Sequence, residues 1–140
     1  MTFQSLAESY LKKSLARFDI LEVLLKKDDY SDVIREAQEI VELCLKGMLR
    51  SKGIEPPKYH DVSGFLLEYR DKFREISDED IQKIASISKK LRKEREISFY
   101  GDVDFIPTES YTKSDALEAI KDARFVLDAA EKFIKNVTKI

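Results

Sequence analysis

The stretch from Ser31 to Lys52, SDVIREAQEIVELCLKGMLRSK, decides the fold class. Val33, Ala37, Ile40, Val41, Cys44, Leu45 and Met48 recur at steps of three and four, the spacing that places side chains on one stripe of an α-helix. Asp29 or Ser31 supplies an N-cap, and Gly53 suits a left-handed terminus just beyond the last turn. Pro56 and Pro57 then prevent the helix from continuing.

The same period extends in both directions. Upstream, Phe3, Ala7, Tyr10, Ser14, Phe18, Leu21 and Leu25 predict a long helix from about Thr2 to about Lys27, broken by Asp28 and Asp29. Downstream, a shorter helix starting at His60 or Asp61 carries Val62, Phe65, Leu66, Tyr69 and Phe73. Ser77, followed three residues later by Asp80, resembles a capping box and opens a helix bearing Ile81, Ile84, Ile87, Ser88 and Leu91 as far as about Phe99. Gly101 to Ser110 has no helical period and reads as an ordered, hairpin-like excursion. Thr112 with Asp115 caps a last helix carrying Ala116, Ile120, Ala123, Leu127, Ala130, Ile134 and Val137, whose small residues allow close approach of a neighbour. The expected architecture is all-α: one domain over residues 1–140, an up-and-down bundle of four main helices plus a shorter helix.

Composition agrees. Charged residues make up 37% of the 140 and apolar residues 43%, with only four glycines and three prolines, a balance that suits long helices better than a sandwich or barrel. A net charge of −2 exerts no global pull on nucleic acid or anionic lipid, so an RNA contact requires a local basic patch. Apolar runs fall far short of the roughly 20 residues that cross a bilayer, and Met1 leads directly into an amphipathic pattern; a cytoplasmic protein without membrane contact is expected. Cys44 is the single cysteine, which rules out an intramolecular disulfide, and it reads as a small buried hydrophobe.

Chemistry is sparse. His60 is the sole histidine, so a multi-histidine metal site within one chain is excluded, and nothing near it in sequence completes a catalytic triad; it reads as a helix-start residue. The four glycines fit no phosphate-loop spacing, and no cofactor is expected. The informative segment is Lys89-Lys90-Leu91-Arg92-Lys93-Glu94-Arg95, continued by Glu96-Ile97-Ser98-Phe99-Tyr100. One more turn of the apolar stripe lands on Arg95, which should therefore lie on or beside the inward face and meet a carboxylate such as Glu42, or face a cleft between chains. A solvated basic helix end is the plainer alternative. Tyr100, placed just past the helix end, is a packing residue or an acid-base or stacking partner of Arg95. Glu42 and Lys46 are one turn apart and form either a surface ion pair or, at Glu42, a buried counter-charge.

Taken together, Glu36 to Leu49, the glycine and proline turn, the His60-Asp61-Val62 helix start, the arginine-bearing helix end and the loop Asp104-Phe105-Ile106-Pro107-Thr108 before an Ala-rich helix resemble the HEPN family. These are small helical domains often encoded beside minimal nucleotidyltransferases. The family's ribonucleases carry an arginine and a histidine four to six residues apart that converge across a homodimer interface. Arg95 matches the arginine, and Tyr100 stands where the histidine is expected. Histidine titrates near neutrality, whereas tyrosine, with a pKa of about 10, stays protonated. The resemblance thus implies a homodimer with Arg95 and Tyr100 at a degenerate catalytic position and Arg92, Arg95, Glu42 and Lys46 at the ligand. It implies a subunit that binds nucleotide or RNA and acts with a minimal nucleotidyltransferase in a toxin-antitoxin pair. An active metal-independent ribonuclease toxin and a ligand-free helical interaction module are the alternatives.

Overall fold

Two acidic residues end one helix and begin the next. Helix α1 spans Phe3–Lys26 and α2 spans Tyr30–Ser51. Between them Asp28 adopts the left-handed conformation, φ 58°. Its amide donates to Leu25 O and the Asp29 amide to Leu24 O, both at 3.0 Å, which closes α1 with the paired bonds usually built around glycine. Asp29 is then the N-cap of α2, and Ser31 falls inside the helix with its hydroxyl donating to Asp29 Oδ1 at 3.3 Å. The far end of α2 closes in the same way around Gly53, φ 73°, with Gly53 N to Arg50 O at 3.0 Å and Ile54 N to Leu49 O at 2.9 Å.

The structure, a computed structural model, describes residues 3–58 and 62–138. The expected helix start at His60 or Asp61, and any role for His60, lie outside the described residues, as do the side chains of Phe3 and Val137. Beyond α2 come α3 (Val62–Glu68), α4 (Asp78–Tyr100), the single turn α5 (Pro107–Ser110) and α6 (Lys113–Thr138). The third helix is shorter than its apolar spacing predicts. After Glu68 the chain tightens into a 3-10 turn, Arg70–Lys72, with Lys72 N to Tyr69 O at 2.8 Å and Phe73 N to Arg70 O at 3.0 Å. This swings Phe73 into the core, where its ring lies 5.1 Å from that of Phe133.

Both predicted capping pairs form. The Ser77 hydroxyl accepts from Asp80 N at 3.1 Å. Thr112 and Asp115 exchange bonds: Asp115 N donates to Thr112 Oγ1 at 3.2 Å and Thr112 N to Asp115 Oδ2 at 2.9 Å. Each such cap is worth about 1 kcal/mol.

The molecule is an all-α bundle of four long helices, α1, α2, α4 and α6, with α2 at its centre packed on the other three and on α3. No strand forms among the described residues; the excursion after α4 contains an isolated bridge in which Asp102 and Phe105 exchange backbone bonds at 3.0 Å. Val33, Ala37, Ile40, Val41, Cys44, Leu45 and Met48 are all buried, as the stripe of α2 requires. Close approach depends on size as well as polarity: a Cβ at Gly47 would meet Ile134 Cδ1 and Tyr10 Cβ, each at 3.3 Å. Cys44 is fully buried, and burial pushes its thiol up to about 12. No helix among the described residues is long and apolar enough to cross a membrane.

Helix α6 covers one side of α2, with Ala116, Ala119, Ala123, Val126, Leu127 and Ala130 in the core. Helix α4 covers another side and touches α6 only lightly. One polar edge of α2 is therefore left facing the C-terminal half of α4.

Candidate functional site

That edge begins as a sequence pattern. Arg35, Glu39, Glu42 and Lys46 follow one another at steps of four, three and four along α2, a polar stripe on an otherwise apolar helix. On α4, Arg92, Arg95 and Phe99 follow at steps of three and four and meet it.

Arg95 lies beside the core, with its side chain 39% exposed. Its Nη2 is 3.4 Å from Glu39 Oε1, not paired with Glu42 as the sequence suggested. Glu42 is taken by Arg92, Nη1 to Oε1 at 3.8 Å. The reason is register: the two helices cross so that each arginine of α4 meets a carboxylate one turn earlier or later on α2, a relation that neither helix encodes alone. Nor does Glu42 turn along its own helix to Lys46, because Arg92 reaches it from α4. Lys46 is half-buried at the end of the same stripe.

Glu39 also holds a second arginine. Arg35 Nη2 lies 3.7 Å from the same Oε1 atom, and the Arg35 guanidinium sits over the ring of Phe99, 5.0 Å from its centroid. Sequence reasoning passed over Arg35, Glu39 and Phe99. The available signal was the stepped polar stripe on α2, which predicts that Arg35 shares an edge with Glu39 and Glu42. On the neighbouring edge Arg17 Nη1 meets Glu36 Oε1 at 2.9 Å, and Arg17 is raised above its ordinary range by that hydrogen bond first, then by the charge of Glu36 and more weakly of Glu39.

Tyr100 is the last residue of α4 rather than the first residue beyond it. It stands five positions after Arg95, hence about 140° further around the helix, so the two side chains leave the axis in different directions. Its ring is 75% exposed and meets Phe99 edge-on, with centroids 4.8 Å apart. Within one chain the structure gathers Arg35, Arg92, Arg95, Glu39, Glu42 and Phe99, and it leaves Tyr100 on the rim.

Chemically, this is a cationic locus beside exposed aromatic surface. The three ion pairs of Arg35, Arg92 and Arg95, at 3.4 to 3.8 Å, are longer than tight charge-assisted hydrogen bonds of about 2.7–2.9 Å. At Arg95 a contact of this length does not saturate a five-donor guanidinium fork.

Comparison with known proteins agrees with the fold. A family model described as "HEPN domain" matches residues 7–133. A protein of Methanocaldococcus jannaschii named "Putative toxin MJ1304" is 31% identical over 136 residues, covering 93% of this chain and 89% of that protein.

Proposed function

This chain belongs to the HEPN family, and on that footing we propose that it is a toxin-type subunit binding the phosphates of RNA or a nucleotide at a degenerate ribonuclease site. The observation that carries this reading is the convergence of Arg92 and Arg95 from α4 with Arg35 from α2, beside the exposed rings of Phe99 and Tyr100. Guanidinium forks match phosphate oxygens, and exposed aromatic rings offer a face on which bases stack. Glu42 and Lys46 complete the edge as the groups that set its local charge.

Cleavage needs more than binding. A metal-independent ribonuclease must move a proton at the attacking hydroxyl and at the leaving oxygen, and a tyrosine that stays protonated near pH 7 is a poor base. With Tyr100 in the histidine's place, the site binds RNA and turns it over slowly or not at all. The toxin reading draws on the name of the archaeal relative, and the nucleotidyltransferase partner on the family resemblance. Arg95 and Tyr100 diverge within a chain, so a site that uses both is assembled from two chains, and the protein acts as a homodimer.

Arg95→Ala tests the reading. It should weaken binding of a labelled RNA oligonucleotide about tenfold or more, the scale of a lost charge-assisted hydrogen bond, and leave the thermal midpoint nearly unchanged. Tyr100→Phe should cost about fivefold. Unchanged binding in Arg95→Ala would sink the proposal.

A further inference from the structure

We propose that Glu39 is an internal stand-in for the phosphate of the ligand, and that Arg35, on α2, is a second phosphate-binding residue paired with Arg95. This rests on the phosphate-binding reading above and adds a residue and a competition that neither the arginine-tyrosine spacing nor the resemblance assigns.

Three observations carry it. First, the Nη2 atoms of Arg35 and Arg95 converge on one oxygen, Glu39 Oε1, at 3.7 and 3.4 Å. The two guanidiniums are therefore no farther apart than these contacts laid end to end, a gap that a phosphate group spans. Second, the locus is unevenly charged: Arg92 balances Glu42 and Arg17 balances Glu36, but two arginines share Glu39. Among these four arginines and three glutamates one positive charge is left over, at an edge where the Arg95 side chain is 39% exposed. Third, the contacts differ in kind. Arg17 and Glu36 meet at 2.9 Å, a formed hydrogen bond, whereas the Glu39 contacts, at 3.7 and 3.4 Å, are longer than a tight charge-assisted hydrogen bond.

Phe99 fixes the geometry. With the Arg35 guanidinium over its ring, the fork cannot swing back along α2 without losing that contact. Phe99 is itself half exposed and continuous with Tyr100, so a base attached to the bound phosphate has a surface beside it. Glu39 is then a positioning residue with two effects: it holds the two arginines together when the site is empty, and it competes with the phosphate for them.

The competition sets the sign of the test. Fluorescence anisotropy of a labelled single-stranded RNA oligonucleotide should show Glu39→Gln binding about three- to fivefold tighter than the wild-type chain, because a neutral amide of the same shape no longer competes. Arg35→Gln should bind more weakly, with the slope of log K against log salt reduced by about 0.7, one phosphate contact on a single strand; Arg35→Lys should keep that slope. A purely structural role for Arg35 would not move the slope. Displacement by a nucleoside monophosphate identifies the source: the Glu39→Gln gain appearing with the mononucleotide assigns a terminal phosphate, and a gain confined to the oligonucleotide assigns an internal phosphodiester. Unchanged or weaker binding of both in Glu39→Gln, or an unchanged slope in Arg35→Gln, overturns the inference. If Arg95→Ala still weakens binding about tenfold in that case, the phosphate-binding reading stands; if it leaves binding unchanged, both fall.

Discussion

The hydroxyl of Tyr111 donates a hydrogen bond to Glu94 Oε2 at 2.5 Å, tying the segment that leads into α6 to the residue beside Arg95. The contact closes one wall of a cleft of about 380 Å³ lined by α4, α6 and the loop between them, with Leu91, Phe105 and Ala119 contributing its apolar surface. Position 111 therefore reports on the helix turn that carries the site.

Tyr111→Phe should destabilise the fold by about 1–2 kcal/mol, the range for a hydrogen bond to a charged acceptor that is partly exposed. Burial first, then the bond to Glu94, raises the Tyr111 pKa above its ordinary 10.0. The bond contributes fully below the unfolded pKa and is lost only as pH rises through the folded value. Urea unfolding should accordingly show the same difference between wild-type and variant chains from pH 6 to pH 9, and a gap that closes within this window would count against the assignment.

Asp32 supplies a pH dependence of the opposite practical consequence. Burial, then the hydrogen bond and charge of Asp29, raise it from 3.8 to about 6. The folded chain thus holds this proton more tightly than the unfolded chain. Its stabilising share is present below about pH 4 and is lost as pH rises through about 6. At pH 7 Asp32→Asn should raise stability by roughly 0.5–1 kcal/mol, after allowance for solvent screening and for the lost carboxylate in the first turn of α2. The same substitution should flatten the stability profile between pH 4 and 6, and an unaltered profile would show that the Asp29 and Asp32 carboxyls are not coupled.

Two turns make a matched pair of backbone predictions. Gly101 has φ 75°, and a Cβ there would lie 2.5 Å from Phe105 O and 2.7 Å from Pro107 Cδ, so Gly101→Ala should cost about 1–3 kcal/mol and distort the loop behind Tyr100. Asp28, at φ 58°, adopts a conformation that glycine takes without strain. Asp28→Gly should stabilise by up to about 1 kcal/mol, offset in part by loss of the hydrogen bond from the Tyr30 hydroxyl to Asp28 Oδ1. Chemical denaturation of both variants checks the two signs.

What the sequence made legible follows the range of each interaction. Thr112 with Asp115, Ser77 with Asp80, and the terminus at Gly53 are set by bonds spanning only a few residues, and they are readable directly. The buried stripe of α2 is readable because its period is intrinsic to the helix. The extent of α3 is not: Phe65, Tyr69 and Phe73 keep helical spacing, but the chain tightens after Glu68 to deliver Phe73 to Phe133, sixty positions away. The candidate site divides in the same manner. The period of α4 places Arg95 beside the inward face, whereas its partner depends on how α2 and α4 cross, so Glu39 replaces Glu42 and Arg35 enters unannounced. Tyr100 looked adjacent to Arg95 because five residues are close in sequence, and on a helix they are not on one face.

Tyr100→His tests whether the site is shared between two chains. The position is largely exposed, at 75%, so the substitution should leave the fold intact. It restores the family's spacing of arginine and histidine and places a group of pKa about 6.5 where a phenol stood, which supplies a proton acceptor near neutrality. One chain cannot use it with its own Arg95, because the two side chains diverge by about 140° around α4. Any ribonuclease activity gained should therefore rise with protein concentration as chains pair, and it should vanish in Arg95→Ala/Tyr100→His. Light scattering over the same concentrations should show a dimer forming in step with the activity. A strictly monomeric mass accompanied by undiminished activity would refute the shared site, and no activity in the dimeric variant would show that the missing histidine is not what makes the site degenerate.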